Sequence, residues 1–155
     1  MGRSPFQVLI FPYLHKSDEI LFAIFQRGKE GYWQGIAGGG EDTETPLQAA
    51  QRESWEEAGI SSECKFVSLD SLTTMPVEHV VGGFLWGEDK YVIPEYSFGV
   101  ELQERHLQLS HEHSQYNWVN YDAASKMLKW DSNKNAIWEL NKRITKDSDK
   151  NWALN

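Results

Sequence analysis

Residues 6–14 (FQVLIFPYL) and 20–25 (ILFAIF) are nearly unbroken apolar runs, the pattern of strands buried on both faces. Pro12 inside the first run predicts a bulge or a strand end there, because proline has no ladder donor. Gly28, Gly31, Gly35 and the consecutive Gly38, Gly39 and Gly40 mark a loop. Thr45 followed by Pro46 then reads as an N-cap and a first helical residue. A helix is expected from there to about Ala58, with Gly59 as its left-handed cap and Ile60 folding back onto it.

Residues 65–72 and 96–102 have the character of strands, and the segment between them, rich in glycine, tryptophan and acid (Gly82, Gly83, Trp86, Gly87, Glu88, Asp89), is read as a hairpin. Asp122 can cap a short helix through Leu128, and Asp131 or Ser132 a last helix with Ile137, Leu140 and Ile144 on one face. Without repeats or linkers, the pattern predicts an α/β fold of the α+β kind, a mixed sheet with helices.

A chain of 155 residues, 40% of them hydrophobic, suits one domain spanning residues 1–155. The formal net charge of -8 argues against nucleic acid or a membrane surface as partner. A small anionic substrate would need locally placed cations. Cys64 is the single cysteine and cannot form an intrachain disulfide. The first residues lack an apolar run of the length a signal or a membrane span requires, so the expected location is cytoplasmic.

Chemistry is concentrated in the predicted helix. At about 100° per residue, Glu53, Glu56 and Glu57 share one arc, while Leu47, Ala50, Ser54 and Ala58 occupy the neighbouring one. Like charges four apart, as at Glu53 and Glu57, cost an isolated helix about 0.2–0.5 kcal/mol. Such a cluster is either a plain solvated face or an invitation to a compensating cation, for which hard divalent ions with oxygen ligands are the natural candidates. Arg52 can pair with Glu56 four residues on, and the loop glycines let backbone approach metal and phosphate.

From Gly38 the spacing runs through Glu44, Arg52, Glu53, Glu56, Glu57, Gly59 and Ile60. This resembles the Nudix box, in which a glycine, five residues, a glutamate and seven residues precede R-E-U-x-E-E-x-G-U. Ser54 is the one departure, standing where the family usually has an aliphatic residue. The resemblance implies the Nudix fold, an α/β/α sandwich in which the box forms a catalytic loop-helix-loop. It also implies a pyrophosphohydrolase that uses Mg2+ or Mn2+ to split a phosphoanhydride bond in a nucleoside-polyphosphate-like substrate. By the same correspondence Glu53 and Glu57 bind the metal, Glu56 joins or assists them, the Gly38 carbonyl is a further ligand, and Arg52, Glu53 and Glu56 belong to the catalytic set.

Outside the box the pieces FQRGKEGYWQG, HEHSQYNWVNYDAASKML and WDSNKNAIWELNKRI resemble the dihydroneopterin triphosphate pyrophosphatase branch, which also includes dNTP pyrophosphohydrolases acting on substrates such as dATP. That branch implies release of pyrophosphate. It implies Glu112 as metal ligand or general base, with Glu95 as the competing choice. Arg27 and, more distantly, Arg3 match phosphate contacts, with Gly38 and Gly39 lining the substrate. Trp33, Trp86 and Trp118 are candidates to stack a base or pterin, though large aromatics serve equally well in a core. His111 and His113 flank Glu112 and are expected at the pocket edge; without a further histidine or cysteine they do not complete a zinc site.

Two other functions stay open. Pro76 lies sixteen residues past Ile60 (76 − 60 = 16), a spacing resembling that of ADP-ribose and nucleoside-diphosphate-sugar pyrophosphatases. The fold could also serve a non-catalytic nucleotide-binding module, against which the intact set of box glutamates speaks. A homodimer is a further open reading.

Overall fold

The computed structural model describes residues 2–111 and 113–153. The two apolar runs become β1 (Arg3–Lys16) and β2 (Glu19–Arg27), a hairpin whose tight turn places Ser17 in the left-handed region (φ 55°). There follow β3 (Trp33–Gln34), β4 (Ile36–Glu41), α1 (Pro46–Ala58), β5 (Lys65–Pro76), α2 (Val77–Val81), β6 (Val92–Glu101), β7 (His113–Val119), α3 (Tyr121–Met127) and α4 (Asp131–Ala153). The strands join one sheet in the order β3-β2-β1-β6-β5, with β4 added to β1 and β7 added to β2.

β1 organises this sheet. One of its edges runs parallel to β6, with Gln7 opposite Glu95. Its other edge is shared by two antiparallel partners in succession, β4 opposite residues 7–10 and β2 opposite residues 13–16. Pro12 falls where the neighbour changes, so a missing N–H is tolerated inside the strand, and the expected bulge or strand end does not occur there.

Alternation along the central strands builds two cores. Val8 and Ile10 of β1 with Ala23 and Phe25 of β2 meet Ala49, Ala50 and Ala58 of α1 on one face. Leu9, Phe11, Phe22 and Ile24 meet Ala136, Ile137, Leu140 and Ile144 of α4 on the other. The result is helix, mixed sheet, helix, the sandwich that the Nudix resemblance implies. Among the described residues no helix is long and apolar enough to cross a membrane.

Local signals held best at α1. Thr45 caps it within a reciprocal capping box with Gln48, and Gly59 ends it in the left-handed region (φ 68°), while the Ile60 N–H turns back to the Ser54 carbonyl. Elsewhere tertiary structure moved the boundaries. The triple glycine belongs to β4 and not to a loop, Asn120 and not Asp122 caps α3, and the expected hairpin before β6 is replaced by the short helix α2 followed by irregular chain.

The pairing of β5 with β6 slips between Ser68 and Leu72, and Glu139 of α4 fills the irregularity. Its carboxylate accepts the backbone N–H groups of Asp70 and Ser71, each at 2.7 Å, and the Arg143 Nε–H at 2.7 Å. Burial alone would raise its pKa, but these donors together hold it below the ordinary carboxylate value. Glu139→Ala leaves the two strand donors without this acceptor and is expected to lower unfolding free energy by about 2 kcal/mol, measured in urea. A midpoint unchanged from the parent would show that water satisfies the slipped strand equally well.

Candidate functional site

The box is assembled around Arg52. Its Nε and Nη2 make a fork to the two oxygens of Glu44 at 2.8 and 3.1 Å, and Nη2 also donates to the Gly39 carbonyl at 2.7 Å. Nη1 reaches Glu53 at 3.0 Å and Glu56 at 3.2 Å, with Glu41 at 3.8 Å. One guanidinium therefore ties the helix to β4 and orients two of its three carboxylates. Hydrogen bonding to Arg52 lowers the pKa of Glu44, and the same carboxylates raise that of Arg52.

Glu53 and Glu57 are buried. Burial pushes Glu53 up to about 7, Arg52 opposes that rise, and the neighbouring Glu56 and Glu57 add to it. Glu57 accepts the Ser110 hydroxyl at 2.5 Å, and His113 Nε2 stands 3.6 Å from it. The carboxylate of Glu53 lies against the Gly38 backbone so closely that a Cβ at Gly38 would overlap it. The Arg3 guanidinium lies on Gly39 in the same way. These glycines leave a gap in the sheet surface that carboxylate and guanidinium fill.

Arg3, Arg27, Gly38, Gly39, Arg52, Glu53, Glu56 and Glu57, all read from the sequence as site residues, line one cleft of about 790 Å³. Arg27 is partly exposed, and its pair with Glu30 is long, at 4.0 Å. Arg3 Nη2 donates to Gln7 at 2.9 Å, while its buried Nε has no protein partner among the described residues. Glu112 lies outside the described residues.

Three expectations need correction. Trp33 does not reach the cleft; it packs against the α3/α4 core, and Gln34 turns toward the cleft instead. Trp86 donates to the Arg3 carbonyl and Trp118 to that of Arg105, and neither lines the cleft. His113 does not sit at a pocket edge; it is buried, with its ring 5.4 Å from Phe25.

In place of those tryptophans the cleft has Tyr32 and Trp130, in edge contact at 5.4 Å with Lys129 Nζ over both rings at 4.7 and 4.8 Å. Each lies within or beside a sequence piece already singled out, but only folding brings them together. Glu95, which the sequence offered as a competitor to Glu112, is buried in the cleft, where burial pushes its pKa up to about 7.

That burial has a consequence for stability. Between the ordinary 4.5 and about 7 the folded chain holds a proton on Glu95 that the unfolded chain releases, so this carboxylate costs stability as pH rises through that window. Above it the cost is on the order of 3 kcal/mol. Glu95→Gln is therefore expected to raise Tm at pH 8 and to change it little at pH 4. Equal Tm differences at the two pH values would contradict this.

Could these groups hold a metal? Among the described residues no three His, Cys, Asp or Glu side chains are arranged as a ready ligand set, since Glu53 and Glu56 turn to Arg52 and Glu57 to Ser110. The donor chemistry nonetheless fits a hard divalent ion. It is all oxygen, two of the acids are buried, and the cradle at Gly38 exists only because that residue has no side chain.

The NUDIX domain model matches residues 6–139, and the chain belongs to the NUDIX family. It is an enzyme, a hydrolase of that family. A Listeria monocytogenes protein described as a NUDIX hydrolase is 39% identical, with a TM-score of 0.83 over 93% of this chain and 97% of its own. The chain is also similar to the dihydroneopterin triphosphate diphosphatase of Escherichia coli (strain K12), 28% identical over 139 residues, which are 87% of this chain and 91% of the relative. A solved structure of the E. coli dihydroneopterin triphosphate pyrophosphohydrolase matches with 26% identity and a TM-score of 0.71 over 90% of this chain and 97% of that one.

Proposed function

We propose that the chain, acting as one catalytic domain, hydrolyses a phosphoanhydride bond in a nucleoside-triphosphate-like substrate and releases pyrophosphate. The observation that carries this is the convergence of three carboxylates of α1, across the Gly38 gap, with Arg3 and Arg27 in one cleft. Similarity to the dihydroneopterin triphosphate diphosphatase supports a triphosphate on a pterin.

Glu53 and Glu57, with Glu56 and the Gly38 carbonyl, would hold Mg2+ or Mn2+; a bound divalent ion neutralises phosphate oxygens and acidifies the attacking water. The chain supplies the remaining functions. Arg27 and Arg3, which line the same cleft, would pair with phosphate oxygens and offset the charge of the acidic wall. Arg52 fixes the orientation of Glu53 and Glu56 before substrate arrives. The same burial makes an unpaired charge on Glu53 costly, a cost that a divalent ion bound there would offset. Glu112 is proposed as a further ligand or as the general base, on the strength of the family resemblance.

The test is a panel of dNTPs, dihydroneopterin triphosphate and ADP-ribose with product identification, run with Mg2+ and with excess chelator. Pyrophosphate and a monophosphate from a triphosphate, formed only with the divalent ion, is the expected result. Full turnover in chelator would overturn the metal assignment. Exclusive cleavage of ADP-ribose would favour the second reading, which Pro76 supports by lining the same cleft.

A further inference from the structure

Across the sheet, Gly39 of β4, Gln7 of β1, Glu95 of β6 and Thr73 of β5 stand opposite one another in one row. All four line the cleft. Glu95 is thus two strand spacings, ~9.6 Å, from the Gly39 backbone on which Arg3 rests. That offset is on the scale of the sugar or side chain that separates a triphosphate from its ring.

Glu95 is an unusual group for such a place. Its side chain is buried, it faces the cleft, and among the described residues it makes no hydrogen bond or ion pair. Its row neighbours, Gln7 and Thr73, carry no charge. A buried carboxylate left with no partner is costly, and folded proteins keep one chiefly where a ligand or reaction supplies the partner. Met75, which also lines the cleft, offers apolar contact of the kind a flat ring needs beside a polar edge.

A carboxylate has two acceptor oxygens and, when ionised, no donor, so its best planar complement presents two adjacent N–H groups. The 2-amino-4-oxopyrimidine edge shared by guanine and pterin does so, through its ring N–H and exocyclic amine. Adenine pairs its amine with a ring acceptor, which would face the carboxylate with like polarity. We propose that Glu95 is a specificity-determining residue that receives this N–H and NH2 edge, selecting guanine or pterin triphosphates over adenine and hypoxanthine ones. The assignment rests on the phosphoanhydride reading for the direction in which the substrate lies, whereas ring recognition itself needs no hydrolysis.

Two measurements on the full chain test it. In the first, kcat/KM is compared for dGTP and dITP, which differ by the 2-amino group, in the parent and in Glu95→Gln. The parent is expected to prefer dGTP by about tenfold to a hundredfold, and the variant to bring the ratio within about twofold of one while dITP turnover persists. Dihydroneopterin triphosphate is run beside dGTP, and the substrate losing more in the variant identifies the natural ring. In the second, guanosine and inosine, which carry no phosphate, are titrated by NMR, where the same preference and its loss are expected.

A parent indifferent to the 2-amino group in both measurements overturns the proposal. So does a variant whose kcat falls equally on dGTP and dITP, since Glu95 would then belong to the reacting chemistry. If no triphosphate is turned over with Mg2+, the proposed function fails, and the nucleoside titration still decides the role of Glu95.

Discussion

Glu57→Gln is expected to lower kcat by about two to four orders of magnitude while leaving Tm within a few degrees of the parent. The substitution keeps the shape of the side chain and an oxygen able to accept the Ser110 hydroxyl. It removes the charge. If Glu57 helps to hold a divalent ion against the phosphates, that charge acts most strongly where negative charge builds up in the transition state, and its loss falls mainly on kcat. Steady-state kinetics at saturating Mg2+, with thermal unfolding of the same preparations, makes the check. Near-normal kcat would leave Glu57 as a buried packing residue held by Ser110.

The second large effect concerns a residue with no functional group. Gly38 is paired with Val8 in the sheet, so its backbone cannot easily retreat. The Cβ of Gly38→Ala would overlap the Glu53 carboxylate, and the long side chain would have to turn aside. Displacement of a reacting group by about 1 Å commonly costs a hundredfold in rate, and a loss of that order or more in kcat is expected here. A double-mutant comparison separates displacement from general damage. If Gly38→Ala acts through Glu53, adding it to Glu53→Gln does little more harm than Glu53→Gln alone. Full additivity of the two losses would place the effect elsewhere.

Both predictions concern a segment that was unusually legible from sequence. The Thr45 cap, the Gly59 terminus and the facing of Glu53, Glu56 and Glu57 depend on contacts within a few residues, which periodicity and capping chemistry capture. The spacing of the box added the link from Gly38 to Arg52. Features set by other strands were less visible. Pro12 reads as a breaker until β1 is seen to exchange β4 for β2 beside it. The phase of β3 is undetermined in a strand of two residues, so the sequence leaves Trp33 open between cleft and core, whereas Gln34 is the one that faces the cleft. Val77–Val81 is too short and too rich in valine to carry a helical period, and α2 was missed. Tyr32 and Trp130 are almost a hundred residues apart, and no local pattern announces their contact.

Arg52 has a bearing on how this protein can be altered. The same five-donor head anchors β4 through the Gly39 carbonyl, clasps Glu44 and steers Glu53 and Glu56. A change at Glu44, which does not line the cleft, would free the fork to swing toward the remaining acids. An engineer improving heat resistance by editing the loop before α1 would therefore be retuning the proposed reaction centre as well. Selection faces the same constraint, because drift at Glu44 is felt at once by two residues of the proposed site. One side chain here links the packing of β4 to the proposed site, and a library that varies residues 41–45 should be screened for stability and activity together.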